Sequence, residues 1–202
     1  MFDSKVICVI PTRGLIYAKT IRGVLRNIRE PIIVDGLPIP DCFNSAVVAA
    51  LINKPDYIWF VEEDNEVPEG VLSAFLKTKS DIITMDYPVA KGISHIHKNS
   101  SGEIDWCGLG CTLIHRRVFE AIDQPWFEVN ILYNQNGDEV IVPEHRLKTG
   151  WGGHDTRFFK KALNKGFKIN VVEGFKGEHY RAEEIPKREM NNGFYTIKNI
   201  IN

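Results

Sequence analysis

The sequence is short of several features that would announce a class of function. Its 25 basic and 26 acidic side chains leave a formal charge of −1 across 202 residues. There is therefore no global basic field of the kind that holds proteins on nucleic acid or anionic lipid. Only four cysteines occur (Cys8, Cys42, Cys107, Cys111), scattered through apolar contexts in a chain large enough to bury a core without disulfide staples. They read as buried thiols. Cys107 and Cys111 lie near His115, but no second Cys/His pair at structural-zinc spacing completes a site. No apolar stretch approaches the about 18 to 20 residues needed to cross a bilayer. The opening MFDSKVICVIPTRG reads as a buried strand and not as a signal peptide, so a soluble, cytoplasmic protein is expected. Internal repeats and low-complexity tracts are absent.

What is present fits one globular domain: 44% of residues are hydrophobic and 25% charged, ordinary values for such a fold. The domain is expected over 1–181, with the polar segment 182–202 as a tail or lid. KVICVI (5–10) is a continuous β-branched run of the kind covered on both faces in a parallel sheet. From Leu15 the apolar residues Ala18, Ile21, Leu25 and Ile28 recur near the helical period. PIIVDG is a second strand. Phe43 to Ile52 reads as a helix capped by Asp41 or Asn44 and ended by Pro55. YIWFV (57–61) is a third strand running into EEDNEVP.

Further on, Glu69 to Lys77 reads as a helix, DIITMDYP as a strand, HIHKNSSGEIDW as loop and hairpin, LGCTLIHR as a strand and RRVFEAI as a short helix. Asn130 to Pro143 suggests a loop or hairpin turning at Gln135-Asn136-Gly137. GWGGHD is a loop, Asp155 opens a helix stopped by Gly166, FKINVV is a further strand, and GFKGEHYR follows as an edge strand or loop. Strands alternating with helices imply an α/β fold, a single Rossmann-like domain whose mixed, mostly parallel sheet is flanked by helices. Its ligand crevice should lie at the carboxyl ends of the strands.

Three constellations fall at such positions. The strand YIWFV delivers Glu62, Glu63 and Asp64, and strand alternation places Glu62 and Asp64 on one face with Glu63 pointing elsewhere. Two carboxylates there suit a hard divalent cation that also takes diphosphate oxygens; read alone, the run is a solvated turn. In WGGHD, glycines present His154 and Asp155 just before a helix, where Asp155 serves either as a general base or as a helix cap. In GEHYR, His179 is either an imidazole ligand or a packed residue.

Taken in order, these elements resemble the GT-A fold glycosyltransferases, especially the family-two-like group, over about residues 5 to 181. The resemblance implies Asp64 at the second, metal-binding position of an Asp-x-Asp motif, with Glu62 replacing the first aspartate. It implies Asp155 as catalytic base, with His154 in place of an acid, and His179 of Gly-x-His as a further metal ligand. Imidazole beside carboxylates favours manganese over magnesium.

On the donor side the resemblance points to Pro11, Thr12, Arg13 and Asp35, with Glu62 and Glu63, and to Asn44, which stands in Phe43-Asn44 where the family has Arg-Asn. WCGLGCTLIHRRVFEAIDQPWF resembles a family segment in which Gly108 and Gly110 let backbone approach the sugar and Trp106 stacks on a sugar or acceptor. Trp151, Gly153 and His154 complete the expected acceptor cleft, while Trp126 and Phe127 are core. His95, His97 and His145 receive no role.

The implied function is transfer of a sugar from a nucleotide-diphosphate donor, uridine favoured, to a hydroxyl of a glycan, protein, small molecule or modified nucleobase. A nucleotidyltransferase making nucleotide sugars and a non-catalytic nucleotide or sugar binding module are the alternatives.

Overall fold

Strand β1 (Val6–Pro11) has a hydrogen-bonded neighbour on each side, and its side chains are apolar on both faces. The computed structural model describes residues 4–89, 92–129, 131–133, 139–141 and 153–180, the side chains of 131–133 and 139–141 excepted. After β1 come α1 (Ala18–Asn27), β2 (Ile32–Val34), α2 (Asp41–Leu51), β3 (Tyr57–Val61), α3 (Val71–Thr78) and β4 (Ile82–Met85). A small hairpin of β5 (His97–Lys98) and β6 (Ile104–Trp106) precedes β7 (Cys111–His115) and α4 (Arg116–Ala121). A second hairpin, β8 (Ile131–Tyr133) and β9 (Glu139–Ile141), lies where the Gln135-Asn136-Gly137 turn was expected; the turn itself falls outside the described residues. Helix α5 (His154–Asn164) and β10 (Ile169–Val172) follow. Trp151, His145 and segment 182–202 also lie outside the described residues.

Six strands form one sheet in the order β10-β4-β7-β3-β1-β2. β7 runs antiparallel to both β3 and β4, and the other neighbours are parallel, so the expected mixed, mostly parallel α/β sheet is present. Alternation along each strand divides the core. Cys8, Ile10, Trp59 and Val61 pack with Val24 of α1 and Phe75 of α3 on one face. Val9, Ile58 and Phe60 pack with Phe43 of α2, Phe119 of α4 and Phe158 of α5 on the other. Each face is covered by helices, which is why the central strands lack the polar alternation of a half-exposed sheet. The expected core residues Trp126 and Phe127 are buried in the second of these clusters.

Topology brings the site together. Because β7 is reversed, its first residue Cys111 pairs with the last residue of β3, Val61. The loop entering β7 therefore meets the chain leaving β3, and Glu62 N–H donates to the Gly110 carbonyl at 3.1 Å.

Candidate metal centre and its two cavities

Past Val61 the chain leaves the ladder in a turn closed by Asn65 N–H on the Glu62 carbonyl at 3.3 Å. The segment after β10 zips against it in the opposite sense. Glu66 N–H donates to Glu178 O and Tyr180 N–H to Asp64 O, each at 2.7 Å, and Asn65 pairs with His179 in an isolated antiparallel bridge. A Cβ on Gly177 would stand 2.5 Å from the Met85 Cε and 2.7 Å from the Glu66 carbonyl oxygen. Glycine is thus what lets this segment lie close enough to present His179.

The result is a cluster in which one ligand atom each from Glu62, Asp64 and His179 lie within 4.8 Å of one another. His179 Nε2 is 3.4 Å from Asp64 Oδ1, and its Nδ1 is buried without a hydrogen-bond partner. Solvent reaches Glu62 through the cleft, yet the residue lies deep in the protein. That burial, followed by the like charges of Asp64 and Asp155, pushes its carboxyl up to about 8. A cation in the cluster would relieve both causes. Two carboxylates and an imidazole fit a divalent first-row ion.

Glu63 turns away from the cluster, by the turn that follows β3 and not by the strand alternation expected of 62–64, and ties the end of β1 to it. Its carboxylate accepts from the Thr12 hydroxyl at 2.5 Å and from Arg13 N–H at 2.7 Å, and it binds the Arg13 guanidinium. Arg13 also lies 3.7 Å from Asp64, with its side chain 41% exposed.

A cavity of about 200 Å3 spans from these residues to the start of α5. Pro11, Thr12, Arg13, Ile39, Cys42, Phe43 and His154 line it together with Glu62, Glu63, Asp64, Asp155 and His179. His154 is only 6% exposed, packs on Phe43 at 4.4 Å between ring centroids, and has neither ring nitrogen hydrogen-bonded. Burial lowers its affinity for a proton, so it sits there as a neutral imidazole with one donor and one acceptor to offer.

Helix α5 starts one residue earlier than the sequence suggests. Gly153, at φ 97°, is its N-cap, and Asp155 falls inside the first turn. One Asp155 oxygen accepts from Thr156 N–H at 2.7 Å while the residue borders the cavity. The cap expected of Asp155 is thus Gly153, while the Asp155 carboxylate holds one first-turn amide and borders the cavity.

A second cavity shares Glu62, Asp155 and His179 with the first. Tyr87, Val89, His95, His97, Trp106 and Gly108 complete it. His95 and Tyr87 stack at 3.7 Å, and His97 and Trp106 at 3.6 Å. His95 Nε2 faces the Met85 carbonyl at 2.8 Å and Nδ1 accepts from Gly108 N–H at 2.9 Å, which assigns the proton to Nε2.

Several expected roles move. Asn44 does not line the first cavity, because its amide is spent on the backbone of Phe127, donating at 3.0 Å and accepting at 3.1 Å. The cap role also passes from Asn44, which is the fourth residue of α2; Pro40 precedes the helix. Asp35 is exposed beyond β2 and lines neither cavity. Gly110 lines neither cavity and makes room instead for the Tyr87 hydroxyl and the Asn65 amide, while Gly108 makes room for Tyr87 and His95 and borders the second cavity. The four thiols are free and buried, and His115 caps α4 by accepting from Arg117 N–H at 3.1 Å. His95, His97 and Tyr87 were missed from the sequence. The signal was the hairpin pattern itself, since in SHIHKNSSGEIDW the register puts His97 opposite Trp106.

No protein-family model and no curated protein matches the chain. Among solved structures it is similar to A197 from STIV, with 19% identity, 89% of this chain and 87% of that one covered, and a TM-score of 0.62. It is also similar to glucosyl-3-phosphoglycerate synthase from Mycobacterium tuberculosis, solved with Mn2+, uridine-diphosphate-glucose and phosphoglyceric acid: 11% identity, 91% and 75% covered, TM-score 0.43. A third is 4-diphosphocytidyl-2C-methyl-D-erythritol synthase from Anaerococcus prevotii: 9% identity, 88% and 90% covered, TM-score 0.45. At these identities the likeness to A197 is one of fold. Among the described residues no helix is long and apolar enough to cross a membrane.

Proposed function

We propose that this chain is a metal-dependent glycosyltransferase of the hexosyltransferase type, moving a sugar from a nucleotide-diphosphate donor, a uridine diphosphate sugar, to an acceptor hydroxyl. One observation carries the reading: two cavities meet at a single candidate cation site, and Asp155 borders both. A group-transfer enzyme with two substrates needs that arrangement, because the bond made and the bond broken share one atom.

Glu62, Asp64 and His179 would hold the divalent ion, manganese by ligand type. Bound there, it supplies positive charge against the diphosphate and the departing nucleotide. Arg13, positioned by Glu63 at the rim, pairs with a donor phosphate. Pro11, Thr12, Ile39, Cys42 and Phe43 receive the nucleoside, and the unpaired ring nitrogens of His154 bond its polar edge.

Asp155 takes the acceptor hydroxyl proton as that oxygen attacks the anomeric carbon and the carbon–oxygen bond to the diphosphate breaks, with inversion.

Asp155→Asn tests this, since its amide oxygen can keep the bond to Thr156 N–H. Calorimetry should find Mn2+-dependent UDP affinity within a few-fold of wild type, while kcat falls about 10²- to 10⁴-fold. Near-normal transfer would remove Asp155 from the chemistry. Turnover of a sugar 1-phosphate with a nucleoside triphosphate would replace glycosyl by nucleotidyl transfer.

A further inference from the structure

We infer that the second cavity is an acceptor site built for a saccharide; this rests on the donor assignment of the first cavity and deepens it. Two chemically different groups of side chains line the cavity. One is aromatic: Trp106 and His97 lie parallel at 3.6 Å and 12°, and Tyr87 and His95 at 3.7 Å and 10°. The other carries the carboxylates of Glu62 and Asp155 with the His179 imidazole.

Among the aromatic side chains, the polar atoms of His95 and Tyr87 are engaged within the protein. Both His95 nitrogens are engaged, and the Tyr87 hydroxyl accepts from Gly110 N–H at 2.9 Å. These side chains offer flat ring faces more than hydrogen bonds. A pyranose has the complementary form, with an apolar C–H face to lie on rings and a rim of hydroxyls to donate to carboxylates.

The platform is held rigidly. His97 and Trp106 are register partners across the β5–β6 hairpin. The hairpin turn is closed on Asn99, whose Oδ1 accepts from Ser101 N–H at 3.1 Å and Glu103 N–H at 3.0 Å. Asp105, beside Trp106, is ion-paired with Lys160 of α5. The ring platform and Asp155 are thus tied to the same helix, which fixes the separation between a stacked ring and the group that would take its proton.

The test is saturation-transfer NMR on the metal-free full chain with three probe sets: neutral methyl pyranosides, nucleosides, and a Ser/Thr-containing peptide. Wild type, Trp106→Ala and His97→Ala are compared, and calorimetry of Mn2+ with UDP reports on folding and on the donor side. The expected result is saturation of glycoside C–H protons in wild type and at least a tenfold weaker effect in Trp106→Ala, with Mn2+–UDP affinity retained. No glycoside saturation, saturation indifferent to Trp106, or preference for nucleoside or peptide would overturn the saccharide assignment. Glycoside binding without Mn2+-dependent UDP binding would instead count against the donor reading alone.

Discussion

Among single residues, His95 shows most plainly how burial sets chemistry at the site. It is 3% exposed, and burial lowers its pKa from an ordinary 6.5 to about 4, with the Met85 carbonyl and Asp86 opposing that shift only in part. The fold therefore holds it neutral. Between about 4 and 6.5 the unfolded chain takes up a proton that the folded chain refuses, so this contribution to stability is whole above 6.5 and is lost as pH falls towards 4. A shift of this size corresponds to roughly 3 kcal/mol. His95→Gln keeps one donor and one acceptor but cannot titrate. Urea unfolding at pH 7.5 and pH 4.5 should show it losing a few kcal/mol less than wild type between the two. Parallel losses would mean that His95 takes up its proton equally in both states.

At the level of elements, the convergence of the candidate metal ligands depends on a strand-like contact only a few residues long, between 64–66 and 178–180. Gly177 is its tight point, because the Glu66 carbonyl against it is backbone and cannot rotate away. Gly177→Ala should cost about 1–3 kcal/mol of stability, as overpacking does. It should also weaken Mn2+ binding by tenfold or more, because His179 is displaced relative to Asp64. Metal titration by calorimetry checks this, with Gly174→Ala as a comparison in which the added methyl meets nothing within 4 Å but the backbone is held at φ 84°. If the two variants bind Mn2+ alike, the close approach at Gly177 does not set the ligand geometry.

For the molecule as a whole, a cation that joins the end of β3 to the segment after β10 should cross-link opposite parts of the fold. Ligand binding to the folded state alone adds about 2.7 kcal/mol at a hundred times Kd. For a chain of this length each kcal/mol is worth about 2–4 °C. Saturating Mn2+ should therefore raise Tm by roughly 5–10 °C, and Asp64→Ala should abolish most of the rise. An equal rise in that variant would place the ion elsewhere.

Much of this molecule is legible one residue after another. Apolar runs at 5–10 and 57–61, helical spacing from Ala18, and Gly166 as a stop mark elements that are present with shifts of a few residues at their ends. Local chemistry writes these features, since strand alternation, caps and turn glycines act over a handful of positions. The acidic run at 62–64, the glycine-led Asp155 and the Gly-x-His at 177–179 could also be picked out, because each sits at an element boundary. What the sequence could not decide is which groups share a space. The reversal of β7 carries Gly110 to Glu62, the zipper carries His179 to Asp64, and the Phe127 backbone consumes Asn44. His95 acquires a place only when it meets the Met85 carbonyl and Gly108 N–H, and His97 only when β5 pairs with β6. These outcomes depend on contacts between residues as many as 115 positions apart, as for Asp64 and His179, and such contacts are selected by the packing of the whole sheet rather than by any local preference.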